Sequence, residues 1–66
     1  MEFTILEEAV LYSALEKYCV YCENCLKNPD NAAQFTFIRG DLDLSKALMK
    51  KIKEDYASKG GQPERL

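Results

Sequence analysis

From Ile5 onward, apolar residues recur at the three- and four-residue spacing of an amphipathic helix. Leu11, Leu15, Tyr18, Cys19, Cys22, Cys25 and Leu26 fall on one face. Val10, Ala14 and Tyr21 widen it on one side and Tyr12 on the other, while Glu16, Lys17, Glu23, Asn24 and Lys27 hold the back. The apolar arc spans about 200°, against roughly 100° for an ordinary surface helix. Thr4-Ile5-Leu6-Glu7 has the form of a capping box, in which hydroxyl and carboxylate each satisfy a free backbone N–H. No Gly or Pro intervenes before Asn28-Pro29, so the pattern predicts a helix over about 4–27.

A second helix is expected over about 42–58. Ser45, Leu48, Met49, Ile52 and Tyr56 form its stripe, with Leu42 and Leu44 near its start and Lys46, Lys50 and Lys53 on one flank. Asp41 or Asp43 can cap its start, and Lys59-Gly60-Gly61 can end it. The segment 30–40 is ambiguous. Asp30 could cap a short helix through Ile38 with Gly40 as its stop. Alternatively, Phe35-Thr36-Phe37 could be a strand turning at Arg39-Gly40-Asp41 into Leu42-Asp43-Leu44, although paired alanines favour the helix.

The expected architecture is all-α: an antiparallel helical hairpin with a short helix or irregular middle element. It makes one domain over 1–60, followed by a flexible tail over 61–66. The narrow stripe of the second helix cannot cover the broad face of the first. The excess predicts a homo-oligomeric helix bundle, a dimer above all, because monomers rarely leave large apolar patches in water. The expected seam runs along Leu6, Val10, Ala14, Lys17 and Tyr21, with Tyr18 and Tyr21 as its anchor.

Size points the same way: 66 residues make a marginal core that oligomerisation commonly supports. The net charge of −2 disfavours a surface that embraces nucleic acid. The Lys46, Lys50, Lys53 flank is interrupted by Glu54 and Asp55, so a nucleic-acid accessory role is only a weak alternative. Residues 1–30 are acidic in balance and residues 31–66 basic, which favours antiparallel pairing of the helices. No apolar run is long enough for a membrane span, and no signal peptide is evident. Three cysteines cannot all pair within one chain, so a reduced cytoplasmic protein is expected.

Cys19, Cys22 and Cys25 form two overlapping CxxC spacings, the soft-ligand pattern of zinc and iron–sulfur sites. They lie inside the expected helix, on its apolar face, and no histidine exists to supply a fourth ligand. Core packing is therefore the favoured reading, and a thiolate metal or redox module is the alternative. Paired acids at Glu7/Glu8 and Asp41/Asp43 are explained by helix starts. Arg39-Gly40-Asp41 spells an adhesion tripeptide, which carries no weight in an intracellular chain. No phosphate loop or nucleophile–base pair is evident. The sequence thus predicts a non-catalytic interaction or regulatory module without cofactor, self-associating through its first helix and open to another protein partner.

Overall fold

The structure is a computed structural model and describes residues 2–66; residue 1 of the expected domain lies outside them. Two long helices, α1 (Ile5–Leu26) and α2 (Phe35–Ser58), pack antiparallel as a hairpin. Its dimensions are 43 × 18 × 15 Å, and no strand occurs among the described residues.

α1 starts as its sequence dictates. Glu7 N–H donates to Thr4 Oγ1 at 3.1 Å, and Thr4 N–H donates to Glu7 Oε1 at 2.8 Å. Beyond Leu26 the chain turns through a 3-10 segment, Pro29–Gln34. Asn28, rather than Asp30, caps it, accepting from Asp30 N–H at 3.0 Å, with the fixed φ of Pro29 suited to the first position. Asn31 Nδ2 donates to the Cys25 carbonyl at 3.1 Å, a second bond to an acceptor that the Asn28 N–H also meets at 3.2 Å as α1 ends.

α2 begins at Phe35, seven residues before the expected start at Leu42. Gly40 is therefore no stop, and Asp41 and Asp43 are interior positions, not caps. Continuity places Ile38, Leu42, Ser45, Met49, Ile52 and Tyr56 on one stripe facing α1. Burying that stripe outweighs the roughly 1 kcal/mol that a mid-helix glycine costs. The true stop is Gly60, at φ +91°, in a Schellman arrangement. Gly60 N–H donates to the Ala57 carbonyl and Gly61 N–H to the Tyr56 carbonyl. In the segment expected as a loose tail, Pro63–Arg65 make a 3-10 turn, and Gly61 lies flat against the Tyr56 ring.

The core is small. Cys19, Cys22 and Leu42 form its centre, with Leu26, Ile38 and Met49 packed around them, while Ile52 and Tyr56 are buried toward the open end. Leu11 and Leu15, expected on the core face, are only half-buried, and Leu48 is 40% exposed.

Candidate functional site

The second helix leaves one flank of α1 bare, the flank anticipated from its spacing. Leu6 is 80% exposed, Val10 69% and Tyr21 61%. Ala14 and Tyr18 are also exposed. Two apolar hollows lie among these residues. One, of about 380 Å³, is lined by Phe3, Leu6, Glu7, Val10 and Leu11. The other, of about 430 Å³, lies between the helices and is lined by Phe3, Leu11, Ala14, Leu15, Tyr18, Leu48 and Ile52. Phe3 and Leu11 belong to both, so the hollows form one surface.

α2 contributes more of this face than its sequence suggested. The Tyr18 hydroxyl donates to Asp41 Oδ2, which fixes Asp41 on the same side as the inter-helix hollow. Leu44 and Leu48 follow Asp41 at i+3 and i+7, on the same helical row, and both are exposed. Leu44, placed near the start of the expected helix, and Leu48, expected on its core stripe, thus lie on the exposed row. The Tyr18 and Tyr21 rings stack, with centroids 6.2 Å apart and planes at 21°. Asp41 first, and burial less, pushes the Tyr18 phenol up to about 12. Lys46, Lys50 and Lys53 are exposed on the other side of the α2 stripe, and Glu16 and Glu23 on the back of α1. The hairpin is therefore two-faced, with an apolar front and a charged back.

The cysteine run is not arranged as a ligand set. Cys19 and Cys22 are buried in the core, and Cys25 is half-buried. The Cys19 thiol approaches Met49 Sδ at 3.8 Å, and burial pushes its pKa up, away from thiolate character. Among the described residues, no group of three or more His, Cys, Asp or Glu side chains could hold a metal ion. No helix is long and apolar enough to cross a membrane.

Sequence reasoning missed Phe3, which lines both hollows, and the cluster formed by Glu8, Asp55 and Lys59. Glu8, assigned to the helix start, is completely buried. It sits on the core row of α1, four positions before Tyr12 and eleven before Cys19, and that placement was its available signal. Lys59 Nζ lies 3.6 Å from Glu8 Oε1 and 2.8 Å from Asp55 Oδ2. Neither Glu8 oxygen accepts a hydrogen bond from another group. Burial first, then hydrogen bonding and repulsion from Asp55, raises the Glu8 carboxyl above its ordinary range, with Lys59 opposing. The Lys59 ammonium, followed by hydrogen bonding from Glu8, holds Asp55 below its own range. The site thus combines an apolar front with an ionic cluster at the open end, in which Glu8 is buried and Asp55 and Lys59 are partly exposed.

Comparison with protein-family models, curated proteins and solved structures finds no match.

Proposed function

We propose that this chain is a small, non-catalytic interaction and regulatory module whose apolar front binds a second copy of itself. The observation that carries the reading is the pair Leu6 and Val10, 80% and 69% exposed, beside hollows walled by Phe3 and Leu11. Protruding aliphatic side chains next to apolar concavities form a self-complementary surface, as a two-fold interface requires.

The hairpin's full face of 43 × 18 Å sets an upper bound on the order of 770 Å² per copy, so a front-to-front pair reaches the standard interface size of about 1,600 ± 400 Å² only by using nearly all of that face. Pairing two fronts makes a four-helix bundle with its charged backs outward. The cysteines are all free thiols, of which Cys19 and Cys22 serve the core, and they suit a reducing, cytoplasmic setting.

Analytical ultracentrifugation tests the reading. Wild-type protein is expected as a dimer at tens of micromolar, and Leu6→Glu as a monomer of unchanged helicity. A wild-type monomer under those conditions would overturn self-association and leave a different protein as the occupant.

A further inference from the structure

The ionic cluster at the open end is joined to the apolar front through one backbone contact. Besides meeting Asp55 and Glu8, Lys59 Nζ donates to the main-chain carbonyl of Phe3. The Phe3 side chain walls both hollows of the front. One ammonium therefore serves two carboxyl groups and also holds the segment that carries Phe3.

We propose that Glu8, Asp55 and Lys59 form a protonation-sensitive latch that positions Phe3 and thereby tunes the docking face. Only the effect on docking rests on the self-association reading; the movement of Phe3 does not.

The charge balance gives the direction. With a proton on Glu8, the cluster holds one carboxylate, one ammonium and one neutral carboxyl that donates to Asp55. That arrangement is neutral, and it satisfies a buried group that otherwise has no partner. Removing the proton leaves two carboxylates competing for one ammonium, with Glu8 itself closed to water and Asp55 and Lys59 partly exposed. The charge on Glu8 then draws Lys59 Nζ toward Oε1, 3.6 Å away, and so shifts the ammonium relative to the Phe3 carbonyl that it also holds. The charged groups facing Glu8 are Asp55 of α2 and Lys59, which follows that helix; Glu7, beside it on α1, is engaged by Thr4. Because the folded state raises the Glu8 pKa, the latch is fully closed below the ordinary glutamate value. It opens as pH rises through the higher folded value.

Carbon and amide NMR of the full chain, dilute enough to be monomeric, tests the latch. In the wild type, the Glu8 carboxyl carbon is expected to titrate above the ordinary glutamate value, and the Phe3 amide shift to follow with the same midpoint. Glu8→Gln keeps a donor toward Asp55 and should abolish the Phe3 transition. Lys59→Met should loosen Phe3 at every pH, its backbone order parameter falling below about 0.6. A Phe3 amide indifferent to the Glu8 midpoint overturns the proposal, and the wild-type titration alone decides this even if a variant fails to fold. Sedimentation separates the two readings. Dimer affinity should weaken with rising pH in the wild type and stay flat in Glu8→Gln, whereas a chain that never dimerises while Phe3 tracks Glu8 defeats only the docking reading.

Discussion

The Tyr18 hydroxyl donates to Asp41 Oδ2 at 2.9 Å, joining the two helices across 23 positions of sequence. Asp41, instead of starting α2, is an interior residue that receives α1. The bond holds Tyr18 at the edge of the inter-helix hollow and beside the Tyr21 ring, so it shapes the docking face as well as fastening the hairpin.

This bond predicts an alkaline transition. The folded pKa of Tyr18 is raised, so its contribution is complete below 10 and is lost as pH climbs from 10 to about 12. Thermal melts across that window should show wild-type stability falling more steeply than that of Tyr18→Phe or Asp41→Asn. Equal slopes would mean the bond does not persist in solution.

The three glycines should respond differently to alanine. A Cβ at Gly40 meets open space within a helix, so Gly40→Ala should stabilise by about 0.5–1 kcal/mol. At Gly60, φ +91° imposes a penalty of roughly 1–2 kcal/mol on an L side chain. A Cβ at Gly61 runs into the Tyr56 ring, so that variant must displace a buried aromatic. Urea titrations should give one gain and two losses; destabilisation by Gly40→Ala would argue that α2 breaks near that position.

How much of this was legible follows the range of each interaction. The start of α1 could be read from Thr4 and Glu7, and the end of α2 from Gly60, because caps are local chemistry. The bare flank at Leu6 and Val10 could be read because helical periodicity alone assigns a face. The start of α2 could not: Gly40 and Asp41 carry the local signals of a stop and a cap. Those signals lose to the tertiary burial of Ile38 and Leu42 on one continuous stripe. Glu8 was hidden for a related reason, since an acid in a first turn already has a sufficient local explanation. Its place on the core row of α1 was the one signal against that explanation, and its partners Asp55 and Lys59 come from the far end of the chain.

The cysteines should sort by burial. Cys25 is half-buried and should react first with a thiol reagent under native conditions, whereas Cys19 and Cys22 should react only on unfolding. Cys22→Ser puts a hydroxyl into the core centre and should cost about 1–3 kcal/mol. Equal native reactivity of all three thiols would show that the core opens readily or that the run serves another purpose.

The central claim is that the apolar front of the hairpin binds a second copy, and sedimentation equilibrium of the wild type beside Val10→Asp tests it most directly. Val10 is 69% exposed, so the substitution leaves the core untouched while placing a charge on the docking face. The account predicts a dimer mass for the wild type and association weakened at least about tenfold in the variant, with identical helicity by circular dichroism. Two monomers sedimenting alike at tens of micromolar would contradict it.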